Sequence, residues 1–280
     1  MKISTLMLST LAGLTLTGAA FGQLGTGGTI TAGNMVFTTG DSPTSNTATA
    51  GPSANLRSTG PAGTNHMFEM WWWYRLAGDN REFNLGNAAT SVTIGSSILR
   101  MTFNQPNFSA VLQYQVVSTG VDSGFLRSTL SITNTSGAAI SLSLFNYTDL
   151  DVNNTAAGDS AVQLAPNFMR VSDPATTYTL AFSGVGADAY QVGSWPSIRN
   201  LLTNNVVDNL NNTGLPFGPG DYTAAFQFGA PSPTGAPGGI VIEPGFTSSV
   251  IATVSITNVP TPGAVALMGL GGLLVSRRRR

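Results

Sequence analysis

Along most of the chain, apolar and polar residues alternate one by one. Val111, Gln113, Gln115 and Val117 lie opposite Leu112, Tyr114 and Val116. Phe125, Arg127, Thr129 and Ser131 lie opposite Leu126, Ser128, Leu130 and Ile132. The same period recurs over 140–145 and 249–256. Successive side chains of a strand point to opposite faces, so this period predicts half-buried strands. Further strands are predicted at 67–75, 91–95, 98–103, 168–172, 176–182 and 221–228. Many short strands separated by Gly, Asn and Pro predict an all-β fold, a single antiparallel two-sheet β-sandwich of jelly-roll or Ig-like type. Residues 133–137, Thr-Asn-Thr-Ser-Gly, read as a hairpin connection between two of the strands. One segment departs from the pattern. Over 196–210, Ile198, Leu201, Leu202 and Val206 fall at helical spacing, Leu210 continues the stripe and Pro196 suits a first turn. It predicts one short helix. Segments 38–65 and 229–239, rich in Ser, Thr, Gly, Asn, Pro and Ala, read as surface loops.

The two ends follow different rules. Lys2, the only lysine, precedes an apolar run over 3–20 that ends in Gly18-Ala19-Ala20-Phe21-Gly22. A basic start, an apolar middle and a small-residue exit predict a secretory signal peptide over 1–22, cleaved before Gln23. At the other end, Val259-Pro260-Thr261-Pro262-Gly263 leads into an apolar run over 264–275, then Ser276 and Arg277-Arg278-Arg279-Arg280. The prolines stop any strand. The run is twelve residues long, whereas a spanning helix needs about 20, so it suits a transient hydrophobic handle better than a permanent anchor. The terminal arginines would stay on the cytoplasmic side during export.

The order Pro-x-Pro, short apolar run, arginine cluster resembles the PEP-CTERM sorting signal of bacterial surface proteins, with Thr261 where the named motif has Glu. The resemblance covers 259–280 alone. It implies processing by an exosortase-type membrane protease after passage through the export machinery, and a final place at the cell envelope, on the surface or in the extracellular matrix. The organisation expected is therefore a signal peptide (1–22), a β-sandwich domain (23–258) and a sorting segment (259–280). The motif residues are Pro260, Thr261, Pro262, Gly263 and Arg277 to Arg280.

Composition narrows the role of the body. Charged residues make up only 9% of the chain against 42% hydrophobic, so the surface must be built from Ser, Thr, Asn, Gln and Gly. The formal charge of −1 hides an imbalance. Five of the twelve basic residues lie in the two end segments, leaving seven arginines against thirteen acids, a net charge near −6. An acidic body without a basic cluster argues against nucleic acid as a partner. Cysteine is absent, which excludes disulfides and thiol chemistry. The single histidine, His66, cannot build a multi-histidine metal site, and no Gly-x-Ser-x-Gly motif accompanies it.

Two patterns carry candidate chemistry. In Glu69-Met70-Trp71-Trp72-Trp73-Tyr74-Arg75, one strand face carries Phe68, Met70, Trp72 and Tyr74 and goes to the core. The other carries Trp71 and Trp73 beside Glu69 and Arg75. Left open, that face is a sugar-stacking platform for a glycan such as extracellular polysaccharide. Covered by the 38–65 segment, it is a second buried layer with Glu69 paired to Arg75. Aromatics are more often core than platform, which favours the covered arrangement. The second pattern is Asp149-x-Asp151-x-Asn153, which has the opening spacing of a calcium loop. Position 6 is Asn154 and position 12 is Ser160, so an EF-hand is excluded. A calcium site of another geometry and a solvated Asx-rich turn both remain compatible. Glu69, Glu82 and Glu243 are the only glutamates, and nothing pairs two of them as a glycosidase requires. The body is therefore expected to be non-enzymatic, structural or adhesive, with a glycan-binding module as the alternative and a carbohydrate-active enzyme as a distant one.

Overall fold

The computed structural model describes residues 27–43, 52–60, 62–86, 89–230 and 238–258. The expected signal peptide and the sorting segment, including Pro260–Gly263 and the terminal arginines, lie outside them. Two antiparallel sheets of nine strands each make up the body. The first runs in the order β1 (Gly28–Ala32), β2 (Met35–Pro43), β3 (Pro52–Arg57), β4 (Glu69–Leu76), β10 (Ile140–Asp149), β16 (Tyr222–Phe228) and β14 (Ala189–Ser194). Two short strands join it, β5 (Phe83–Asn84) on β4 and β17 (Ile240–Ile242) on β10. The second sheet runs β15 (Phe217–Gly220), β11 (Asp159–Ala165), β12 (Phe168–Ser172), β13 (Tyr178–Val185), β18 (Thr247–Asn258), β9 (Ser123–Asn134), β8 (Phe108–Gly120), β7 (Ile98–Asn104) and β6 (Ser91–Ile94). The β-sandwich is thus observed. Each sheet alone has as many strands as the roughly seven to nine of a whole Ig-like sandwich, so that finer type does not apply.

The core between the sheets is the buried half of the alternation. Phe108, Ala110, Leu112, Tyr114 and Val116 of β8 and Leu126, Leu130 and Ile132 of β9 are buried. They meet Met70 and Trp72 of β4. The Trp72 indole N–H donates to Ser128 Oγ (2.8 Å), and the Tyr114 hydroxyl donates to the Met70 carbonyl (2.9 Å), so the two large polar aromatics are buried with their donors satisfied. Phe182 of β13 packs on Phe226 of β16 with centroids 4.6 Å apart. Gly184 permits this approach, because a Cβ there would sit 2.7 Å from the Phe226 ring. On the outer face of the second sheet, Ser131 pairs with Ser249 and Thr133 with Thr247, each at 2.7 Å. The scarcity of charge is met by hydroxyl ladders of this kind.

Three expectations are corrected. Residues 38–65 are not one loop: β2 and β3 occupy much of the segment and pair with each other, with Phe37, Ala54 and Leu56 buried. Small Ser, Thr and Asn between those positions lowered the apparent hydrophobicity without breaking the period. Residues 133–137 do not form a hairpin. β9 pairs with β8 and β18, β10 with β4 and β16, so the connection crosses from one sheet to the other. Asn134 secures that crossing by donating to the carbonyls of Ala138 and Ile242. The helix α1 spans only Ser197–Thr203. Asn204 ends it by accepting the Val206 N–H (2.9 Å) and donating to Asp208 (2.7 Å), so the chain beyond runs non-helically and Leu210 gives its N–H to Gln227.

Candidate functional site

Strand register gathers the site. β4, β10, β16 and β14 lie side by side and antiparallel, so starts and ends alternate along one edge. Glu69 at the start of β4 stands opposite Asp149 at the end of β10. Asp149 stands opposite Thr223, and Tyr222 at the start of β16 stands opposite Ser194 at the end of β14. The flanking residues Phe68, Leu150, Asp221 and Trp195 are then drawn together by backbone bonds. Phe68 N–H donates to Asp149 O (2.9 Å), Leu150 N–H to Tyr222 O (3.3 Å) and Trp195 N–H to Asp221 O (3.0 Å).

A cleft of about 240 Å³ opens at this edge, lined by Phe68, Asp149, Asp151, Ala156, Trp195 and Asp221. Phe68 is 42% exposed and Trp195 43%, unlike the other three tryptophans, which are all buried. Asp149, Asp151 and Asp221 each place a carboxylate oxygen within 4.8 Å of the others. Like charges at that range oppose ionisation. Burial first, then Asp151, Asp221 and Glu69, push Asp149 up to about 9 against the pull of Arg199. Burial and then Asp221 push Asp151 up to about 6. Burial raises Asp221 as well. Behind them Asp159 is pushed up to about 8 by burial, with the Val152 backbone opposing.

The tryptophan platform is not there. Trp71 and Trp73 are fully buried. Their face is covered, and among the described residues not by 38–65, whose strand β3 lies beside β4 in the sheet. The Trp71 indole N–H donates to Asn84 (2.7 Å), Trp73 meets Tyr147 edge to face at 5.9 Å, and Arg75 is held by Glu82 and Asn209. Glu69 does not pair with Arg75; its nearest guanidinium is that of Arg199 on α1, at 3.8 Å. Residues 77–86, α1 and the chain after it thus form a third layer on this side of the sheet. Of the face assigned to the core, Met70, Trp72 and Tyr74 are buried, whereas Phe68 precedes the strand and reaches the cleft.

Asp149 and Asp151 of the calcium pattern meet, joined by Asp221 from 70 positions further along the chain. Asn153 lies in the turn Val152–Asn154 with positive φ, and its N–H donates to His66 Nδ1 (3.1 Å). Burial and then Arg57 lower His66 to about 4. It is a neutral acceptor that anchors the turn. Trp195 and Asp221 were not singled out from the sequence, and Phe68, expected in the core, is instead 42% exposed in the cleft. The alternation places Phe68 on the core face of the predicted 67–75 strand, Trp195 lies just before the predicted helix over 196–210, and Asp221 opens the predicted 221–228 strand.

No protein-family model and no curated protein matches the chain. Solved structures do. A bacterial glucoamylase complexed with acarbose aligns with TM-score 0.54 at 15% identity, over 94% of this chain and 36% of its own. A presumed aldose 1-epimerase of Escherichia coli K12 aligns with TM-score 0.53 at 11% identity, over 84% of this chain and 99% of its own. A galactose mutarotase related enzyme of Lactobacillus acidophilus aligns with TM-score 0.52 at 10% identity, over 84% and 98%. At these identities the likeness is one of fold. The expectation of a non-enzymatic structural or adhesive body is corrected on this ground: the body has the sandwich fold of carbohydrate-active enzymes.

Proposed function

We propose that the cleft at the β4–β10–β16–β14 edge binds carbohydrate and that the body is a carbohydrate-binding or carbohydrate-modifying domain. The observation that carries this reading is the pairing of two exposed aromatics, Phe68 and Trp195, with three carboxylates in one cleft. Aromatic faces stack on the apolar faces of sugar rings, and carboxylates accept hydrogen bonds from their hydroxyls. The fold shared with sugar-acting enzymes supports it. The three carboxylates lie within 4.8 Å of one another. A retaining glycosidase pair stands roughly 5–5.5 Å apart and an inverting pair roughly 6.5–9.5 Å. One oxygen of each aspartate lying this close does not fix the separation of the whole carboxyl groups, so the trio supports binding and modification of a sugar alike. Calorimetry of the purified protein against a panel of mono- and oligosaccharides, repeated with Trp195→Ala and Phe68→Ala, tests the reading. Binding by the wild type and loss in both variants is expected. No saccharide bound, or undiminished binding by both variants, overturns it.

We also propose that the chain is exported and sorted to the cell surface or matrix, with an exosortase-type protease as partner. The support is the signal-peptide pattern at 1–22 and the Pro260-Thr261-Pro262, apolar run, Arg277–Arg280 order. Among the described residues no helix is long and apolar enough to cross a membrane. Mass spectrometry of the native protein from cell fractions decides. Loss of both end segments is expected, and recovery of the chain with both ends intact overturns the proposal.

A further inference from the structure

We infer that Asp149, Asp151 and Asp221 form a calcium site at the floor of the cleft. Three features converge on it. Each aspartate offers an oxygen, and the three oxygens lie within 4.8 Å of one another. Oxygens bound to one Ca²⁺ at about 2.3–2.6 Å stand at most ~4.6–5.2 Å apart, and the three oxygens here lie within that range of one another. Asp149 is 3% exposed and lines the cleft, and its Oδ1 has no hydrogen-bond partner. A buried carboxylate oxygen left without a donor is costly, and a cation entering from the open side satisfies it. The site is also built on rigid elements. Asp149 closes strand β10, Asp221 immediately precedes β16, and Asp151 opens the turn that His66 anchors through the Asn153 N–H.

The choice of calcium follows from the ligands. All three are hard carboxylate oxygens, and neither cysteine nor histidine lines the cleft. Calcium takes about 6–8 oxygens in flexible geometry, whereas magnesium demands a near-ideal octahedron and keeps most of its water. Three aspartates leave coordination positions that open between Phe68 and Trp195. Resting on the carbohydrate reading above, those positions take vicinal hydroxyls of a bound sugar, which makes calcium a co-ligand of the saccharide.

The test uses the purified protein, stripped with chelator and titrated with CaCl₂ or with MgCl₂. Saturation at about a hundredfold over Kd should raise Tm by roughly 5–10 °C, with uptake near one ion per chain by calorimetry. Asp221→Asn, at a partly exposed position where folding is not at risk, should abolish the shift, and Asp151→Asn should do the same. Equal melting with calcium and with chelator overturns the site, as does a full shift in both variants. A magnesium response equal to that of calcium overturns the choice of ion. Saccharide titration is run separately. Calcium uptake without sugar binding leaves the ion site standing and removes the carbohydrate reading. Sugar binding unaffected by chelator removes the ion's role as co-ligand.

Discussion

The outer face of β4 and β10 buries titratable side chains at both ends, and the two ends are built differently. At the Arg75 end, one guanidinium is bonded to Glu82, to the Asp208 carbonyl and to Asn209 Oδ1, and lies 5.6 Å from the centre of the Phe145 ring. Glu82 in turn accepts the Asp208 N–H (3.1 Å). At the Asp149 end, three aspartates and Glu69 face Arg199 as the guanidinium that pulls against their mutual repulsion. The sheet, the layer that covers it and the depth of burial are shared. What differs is balance. A buried charge matched by its neighbours belongs to the scaffold, while a cluster of carboxyls whose ionisation is opposed by burial and by one another, opening onto a cleft with exposed aromatics, is provision for a ligand.

The largest effect that sharpens this contrast is expected from Arg75→Met. It leaves Glu82 buried without its cation and releases the 208–209 segment, which should cost about 3–5 kcal/mol in denaturant unfolding while leaving the calcium response intact. A cost under about 1 kcal/mol, or a lost calcium response, breaks the distinction between the two ends.

Next comes the histidine that holds the turn at the acidic end. His66 is lowered to about 4 in the folded protein, against about 6.5 unfolded. Between those values the unfolded chain takes up a proton that the folded chain refuses. The His66 contribution to stability therefore falls as pH drops from 6.5 to 4, by about 3 kcal/mol in total, with none above 6.5. The raised aspartates act in the opposite sense, so the His66 contribution is read as the difference between wild type and variant. His66→Gln, measured beside the wild type at each pH, should remove this slope. Parallel pH profiles would show that His66 is not the group responsible.

The contrast between the ends also shows what could be read from the sequence. Period-two alternation marked β8, β9, β10 and β18 because their inner residues are large and their outer ones polar, and the pleat requires just that. It also separated Trp72, which meets the second sheet, from Trp73 beside Tyr147, while Trp71 reaches both Asn84 and Phe103 of β7. Alternation says nothing about what lies on the second face, and here that layer comes from 77–86 and 197–210, far along the chain. Asp149 and Asp151 were legible as a local spacing. Phe68, Trp195 and Asp221 were not, because only the antiparallel register of β4, β10, β16 and β14 brings them to one edge.

A smaller effect tests whether the covered face is as closed as the Arg75 end implies. Asn84→Ala removes the acceptor of the buried Trp71 indole N–H and should cost about 1–3 kcal/mol. Tryptophan fluorescence should move little, because the surrounding segment stays in place through Arg75 and Glu82. A fluorescence shift to that of solvated indole would mean that one hydrogen bond holds the whole cover.

The smallest stability effect belongs to Trp195→Ala. Trp195 is 43% exposed at the mouth of the cleft, and a surface substitution of this kind stays within about 0.5 kcal/mol. Its cost should appear in ligand binding, where one stacked aromatic contributes roughly 0.5–1.5 kcal/mol, a two- to tenfold loss of saccharide affinity. Trp72, buried between the sheets with its indole bonded to Ser128, should behave in the opposite way: Trp72→Ala should cost about 3–5 kcal/mol in stability. If Trp195→Ala instead lowers Tm strongly and leaves binding unchanged, the exposed aromatic is part of the scaffold. The acidic end then loses the feature that separates it from the Arg75 end.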